Sequence, residues 1–165
     1  MITQERLKEL LTYNPETGLF VWKVSRGKKK AGSFAGDICP STGYSRIVID
    51  YREYRAQKLA WLYVYGIMAD DIIDHINHNR TDNRINNLRN VSIKENLKNK
   101  AKGKNNKSGQ VGVCWRKSTN RWRAYIKVDK KCIELGSFVS FSDAVNARKN
   151  AEVLYGFHEN HGKDK

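Results

Sequence analysis

The residues with chemistry to offer are concentrated between Ile72 and Asn96. Two β-branched residues, Ile72-Ile73, read as a short buried strand that delivers Asp74 and His75 at its end. A loop rich in Asn, Asp and Arg follows, and Leu88-Arg89-Asn90-Val91 reads as a return strand. Ser92-x-x-Glu95 is a capping box that opens a helix, with Asn96 one turn in. A strand end, a return strand and a helix start can converge on one point that collects a carboxylate, an imidazole and carboxamides. Such a set suits metal-assisted hydrolysis of a phosphodiester. Oxygen donors from Asp74 and Asn96 suit a hard ion such as Mg²⁺, which keeps waters and takes phosphate oxygens as further ligands. His75, with an ordinary pKa of about 6.5, can accept a proton from an attacking water at neutral pH. An Asn oxygen can hold the ring by accepting its other proton. The competing reading is a solvated polar turn, since Asn is common in loops because it tolerates left-handed backbone. Adjacent strand residues also point to opposite faces, so the strand must end or twist for Asp74 and His75 to reach one phosphate.

The flanking elements follow from periodicity. Thr3 to Leu11 reads as a short helix capped by Thr3, with Leu7, Leu10 and Leu11 on one face. Tyr13 to Gly18 is a turn, and Leu19 to Trp22 a strand. Arg26-Gly27-Lys28-Lys29-Lys30 is a basic loop, equally suited to solvent and to phosphate. Tyr44–Asp50 and Glu53–Lys58 look like strands joined at Tyr51-Arg52. Leu59 to Tyr65, apolar almost all round and closed by Gly66, reads as a buried helix with Trp61, Tyr63 and Tyr65 in the core. From Asn96 to Ser108 lysines alternate with Asn, Gly and Ser, as in a linker that can lie along phosphates through Lys100 and Lys102. Arg121 to Val128 then alternates with a period of two: Trp122, Ala124, Ile126 and Val128 face one way, Arg121, Arg123, Tyr125 and Lys127 the other. Asp129-Lys130-Lys131 turns into a strand from Cys132 to Phe138. Ser140-Phe141-Ser142-Asp143, a variant capping box, opens a helix to Tyr155 with Ala144, Val145, Ala151 and Leu154 as its apolar stripe. The divisions expected are a first domain over 1–97, a linker over 98–108, a second domain over 109–157 and a polar tail over 158–165, in which His158 and His161 are tail residues rather than a metal pair.

Composition narrows the partner. The 165 residues hold 31 Lys and Arg against 17 Asp and Glu, a net charge of +14. Residues 1–98 carry 16 bases and 11 acids; residues 99–165 carry 15 bases and 6 acids. This excess points to a polyanion, and its interleaving with aromatics favours nucleic acid over an anionic membrane. Cys39, Cys114 and Cys132 form no C-x-x-C pair, which argues against a disulfide framework or a cysteine zinc site. The amino terminus lacks a signal-peptide pattern and no apolar run is long enough for a membrane helix, so a cytoplasmic location is expected.

The segment from Asp74 to Asn96 resembles the His-Asn-His (HNH) nuclease motif in the form carried by phage and intron-borne homing endonucleases. Asp74-His75, Asn86-Asn87-Leu88-Arg89 and Glu95-Asn96 carry the resemblance. Tyr13-Asn14-Pro15-Glu16-Thr17-Gly18-Leu19-Phe20-Val21-Trp22 and Arg55-Ala56-Gln57-Lys58-Leu59-Ala60-Trp61 extend it upstream. It implies a ββα-metal fold, His75 as general base, Asn87 as the residue that orients its ring, and Asp74 and Asn96 as ligands of one divalent ion, Mg²⁺ or Mn²⁺. Two positions depart from the pattern: Gln57 stands where relatives often carry His, and His78 where they often carry a small residue.

Residues 109–157 resemble the Apetala (ethylene-response-factor) DNA-binding domain. Val111-Gly112-Val113, Arg121-Trp122-Arg123-Ala124, Leu135-Gly136-Ser137-Phe138 and the Ala-rich helix from Phe141 carry this resemblance. It implies a three-stranded antiparallel sheet packed on one helix, with the sheet in the major groove. Arg116, Arg121, Arg123 and Lys127 would then face DNA, where Arg–guanine contact is the commonest specific readout. The expectation is an α+β protein acting as a metal-dependent endonuclease on double-stranded DNA, as a monomer. A sequence-specific regulator with an inactive nuclease site is the first alternative, and an RNA- or ribosome-binding protein the second.

Overall fold

The computed structural model describes residues 2–163. The chain divides into two compact units, one up to Ser92 and one from Ile93.

The first unit opens with helix α1 (Gln4–Leu10), whose Thr3 cap accepts from the Arg6 N–H at 3.2 Å. Leu11 leaves the helix and starts strand β1 (Leu11–Asn14), which pairs antiparallel with β2 (Leu19–Trp22). A second sheet orders β3 (Asp37–Ile38), β4 (Ser45–Ile49) and β5 (Arg52–Arg55). The β4–β5 turn falls at Asp50-Tyr51, both with positive φ (47° and 62°), one residue earlier than expected. Two left-handed residues match the twist of paired strands in a two-residue hairpin. Helix α2 (Ala56–Tyr65) takes over Ala56 to Lys58, which had read as strand, and ends on Gly66 at φ 77°. Alternation buries Ile47 and Ile49 of β4, which join Leu7, Leu11, Phe20, Trp22, Leu59 and Leu62 in one core. Each such side chain contributes about 1.5–3 kcal/mol by leaving water. Tyr65, expected in that core, is exposed. Two bases of the loop after β2 are absorbed by the fold: Arg26 pairs with Asp50 at 2.8 Å, and Lys29 donates to the Val48 carbonyl.

The hairpin β6 (Ile72–His75) and β7 (Leu88–Val91) follows, with Ile73 and Leu88 joining the core. A single 3₁₀ turn, Ile85–Asn87, leads into β7.

The second unit begins with the five-residue helix α3 (Ile93–Leu97). Strands β8 (Val113–Arg116), β9 (Arg121–Val128) and β10 (Lys131–Phe138) form an antiparallel sheet with β9 central. Helix α4 (Phe141–Leu154) packs on all three strands. The two faces of β9 are as the alternation indicates: Ala124 and Ile126 are buried, Arg121 and Lys127 exposed. Gly112 has φ 76°, and a Cβ there would stand 2.4 Å from the Tyr125 carbonyl, so this close approach of backbones requires glycine. Ser140 does not cap α4 with its side chain; its hydroxyl meets that of Ser142 at 2.6 Å. Leu154, expected on the apolar stripe, is exposed, while Ala144 and Ala151 are buried.

The lysine-rich segment and the tail differ from a bare linker and a polar end. Backbone hydrogen bonds join His158 to Lys98, Gly162 to Lys100 and Lys102 to Lys163. Asn99 and His161 are buried. The buried Arg148 of α4 ties the tail to the sheet: it donates to the Tyr125 carbonyl, meets His161 Nε2 at 3.2 Å and pairs with Glu152 at 3.1 Å.

Candidate active site

His75 closes strand β6. In the regular ladder Asp74 lies opposite Arg89 and His75 opposite Leu88, so the two candidate residues stay on alternate faces. His75 shares the buried face with Ile73; Asp74 is half-buried on the other.

The imidazole is 4% exposed, and this burial, which disfavours the charged ring, is the chief reason its pKa lies below the ordinary histidine value. The nearby Arg80 guanidinium acts in the same direction; Asn83, Asp74 and Asp82 oppose it. The ring is therefore neutral at pH 7. Its Nε2 lies 3.1 Å from Asn83 Oδ1. The Asn83 Nδ2 donates to the Thr81 carbonyl at 3.3 Å, which turns Oδ1 toward the ring. Nε2 then carries the proton and donates it to Asn83, and the lone pair belongs to Nδ1.

Asn83 was not singled out in the sequence; the resemblance gives the orienting role to Asn87. Asn87 is buried, but its amide braces the loop: Oδ1 accepts from the Asn77 N–H, and Nδ2 donates to Asn77 Oδ1 and to the Asp82 carbonyl. Asp82 is clamped in turn by Arg84, at 2.7 and 2.6 Å, and by Asn77 at 2.7 Å, which keeps it ionised. The residue types give no reason to prefer one Asn of this loop over another.

The signal that could have found Asn83 lies 65 residues upstream of it, in the turn ending at Gly18. Asn14 Oδ1 accepts from the N–H groups of Glu16 and Thr17 and shapes that turn. The turn then supports the loop after β6 from below. Tyr13 donates its hydroxyl to the Asn83 carbonyl at 2.7 Å, and the Ile85 N–H donates to the Pro15 carbonyl. Burial pushes the Tyr13 pKa up, so it stays a donor. Gly18, at φ 73°, packs so closely that a Cβ would stand 2.5 Å from the Arg84 nitrogen and 2.6 Å from the Asn83 carbonyl carbon.

Asp74 is engaged by Arg89, whose Nε and Nη2 donate to Oδ2 at 3.1 and 2.9 Å. Its chemistry fits a hard dication that retains waters and shares the carboxylate with Arg89. Among the described residues no three His, Cys, Asp or Glu side chains group as a metal site. Asn96 lies on α3, in the second unit. His78 is a left-handed turn residue at φ 65°. Gln57 is buried in the first turn of α2, its Oε1 without a hydrogen-bond partner among the described residues.

Tyr44 stands beside the His75 ring, with ring centroids 5.8 Å apart. Two guanidinium groups stack on Tyr44, Arg55 at 4.7 Å and Arg80 at 4.8 Å.

In the second unit, Arg116, Arg121 and Lys127 are exposed on the sheet, and Lys100 is exposed in the segment before it. Lys102 is half-buried. Arg123 is not an open contact: Glu134 on β10 takes its Nε at 2.8 Å and its Nη2 at 2.6 Å, and the guanidinium also stacks on Tyr125 at 4.9 Å. Any base contact by Arg123 competes with this pair.

Residues 54–98 match the family model described as HNH endonuclease. The match covers the end of β5, α2, the β6–β7 hairpin and α3, and includes Asp74, His75, Asn83, Asn87 and Asn96. No curated protein and no solved structure matches the chain.

Proposed function

We propose that this protein is a metal-dependent DNA endonuclease of the homing type, leaving 5′-phosphate and 3′-hydroxyl ends. The observation that carries the proposal is the buried His75–Asn83 pair inside the segment that matches the HNH endonuclease family. A neutral imidazole with its proton fixed on Nε2 has Nδ1 as its basic atom. His75 takes a proton from water as the water oxygen attacks phosphorus. The bond from phosphorus to the 3′ oxygen breaks, the phosphate stays on the 5′ side, and the departing 3′ oxygen takes a proton from solvent. Asp74, on the other face of β6 but next to His75 at the strand's end, would be the carboxylate offered to a divalent ion, Mg²⁺ or Mn²⁺, and the resemblance nominates Asn96 as a further donor. When bound, such an ion supplies charge stabilisation to the phosphate and the leaving oxygen.

The second unit is proposed as the targeting part, an Apetala-like sheet reader. Arg116, Arg121 and Lys127 are exposed on its sheet, and Lys100 and Lys102 are assigned to phosphates. The net charge favours a duplex partner. Two points favour the alternative of a DNA-binding regulator: Arg89 already occupies an oxygen of Asp74, and Gln57 stands where the resemblance leads one to expect a His. Incubating supercoiled plasmid with the protein in Mg²⁺, with EDTA and His75→Ala as controls, decides between them. Nicked or linear product that vanishes in both controls supports the nuclease; binding without cleavage in Mg²⁺ or Mn²⁺ supports the regulator.

A further inference from the structure

We infer that Arg55 and Arg80, held on the ring of Tyr44, form a phosphate clamp that seats the DNA backbone beside His75; this deepens the nuclease reading and rests on it. The first observation is the pairing of arginines in this unit. Arg6 pairs with Glu9 and Asp50, Arg26 with Asp50, Arg46 with Asp37 and Glu53, Arg84 with Asp82, and Arg89 with Asp74. Arg52, Arg55 and Arg80 have no salt-bridge partner among the described residues, and of these three only Arg55 and Arg80 are gathered on one aromatic ring.

The second observation is that both are nevertheless placed. Arg55 ends β5 and Arg80 lies in the loop after β6, yet both guanidinium groups stack on the Tyr44 ring, at 4.7 and 4.8 Å. Arg80 is fixed further by donating to the Thr42 carbonyl at 2.5 Å. Two like charges drawn to one spot repel unless an anion joins them, and stacking on a ring quadrupole offsets only about 0.5–2 kcal/mol of that. A guanidinium stacked by its face keeps its in-plane N–H groups for phosphate oxygens, which it can meet two at a time.

The third observation is position. The Tyr44 ring lies 5.8 Å from the imidazole of His75, and the Arg80 charge is felt at that imidazole, so a phosphate gripped by this pair is close to the proposed base. Arg55 is exposed and Arg80 half-buried, so one is open to the duplex while the other lies deeper. The ligand class is therefore the phosphodiester backbone, gripped irrespective of base sequence.

The test is binding of the full-length protein to a duplex of scrambled sequence in EDTA, across a salt series, so that cleavage plays no part. Each arginine that neutralises a phosphate contributes roughly 0.9 to the slope of log affinity against log salt. Arg55→Gln and Arg80→Gln should each flatten the slope by about that amount, and the double variant by about twice it. Arg55→Lys and Arg80→Lys should keep the slope. Arg6→Gln, which removes the same charge from an acid-paired arginine, should leave the slope unchanged. In Mg²⁺ the Arg55→Gln variant should raise KM more than it lowers kcat. A double Gln variant with the wild-type slope overturns the clamp, whether or not the protein is a nuclease. A slope that depends on both arginines in a protein that never cleaves keeps the clamp and removes the nuclease reading. A wild-type chain that binds no duplex overturns both.

Discussion

Replacing Asn83 by Asp tests the assignment of His75 as the base through its titration. In the native protein a neutral carboxamide oxygen sits 3.1 Å from Nε2, and burial keeps the imidazole pKa below its ordinary value. Asn83→Asp puts a full negative charge at the same place with almost no change in shape. With charge centres about 4 Å apart and an effective dielectric near 20, the attraction is about 4 kcal/mol. At about 1.36 kcal/mol per unit this raises the imidazole pKa by up to about 3 units, and by about 2 once solvent screening is allowed for. The sign matters: a raised pKa increases the share of rings that are protonated at pH 7 and so have no lone pair to offer. Cleavage at pH 7 should fall, by at most roughly 30-fold for such a rise, and recover as pH rises through the new pKa. The wild type should keep its rate down to below pH 6.5, where its depressed pKa places the acid limb. The assay is kcat/KM for plasmid nicking from pH 5 to 9.5, with the His75 ring titrated in parallel by NMR. If the NMR shift appears and the acid limb stays where the wild type has it, His75 is not the base. If neither moves, the His75–Asn83 contact is wrong.

His75→Ala should reduce cleavage by 10²–10⁴-fold and leave duplex affinity within about twofold, read by nicking and by gel shift. Gly18→Ala should lower stability by more than about 1–2 kcal/mol, because a left-handed φ of 73° and a Cβ 2.5 Å from the Arg84 backbone both oppose it; thermal unfolding measures this, and surviving protein should show a reduced kcat. Asp74→Asn should shift the Mg²⁺ concentration needed for half-maximal cleavage upward, and an unchanged metal titration removes Asp74 as a ligand. Glu134→Gln, by releasing Arg123 from its ion pair, should tighten duplex binding and steepen its salt dependence, whereas Arg121→Ala should weaken it; equal salt slopes for both variants and wild type would exclude this sheet face from the interface.

Local pattern was enough for much of the scaffold. The alternation from Arg121 to Val128 identifies β9 and its two faces because a strand's side-chain period is two, and Gly66 ends α2 because a left-handed cap needs no Cβ. The segment carrying Asp74 and His75, and Leu88 to Val91 as its return strand, were likewise legible from residue type and spacing. Tertiary contacts decided the rest. Which asparagine holds His75 depends on where the loop after β6 is pressed, and that is set by Tyr13 and Gly18 from the β1–β2 hairpin, far away in sequence. Whether an arginine is open for DNA depends on the acid that folding brings beside it: Glu134 takes Arg123, while Arg55 and Arg80 are left on Tyr44. The lysine-rich segment after α3 reads as a tether because its side chains are polar. It is ordered through backbone hydrogen bonds to residues 158–163, and backbone groups are the same in every residue type, so composition cannot announce them.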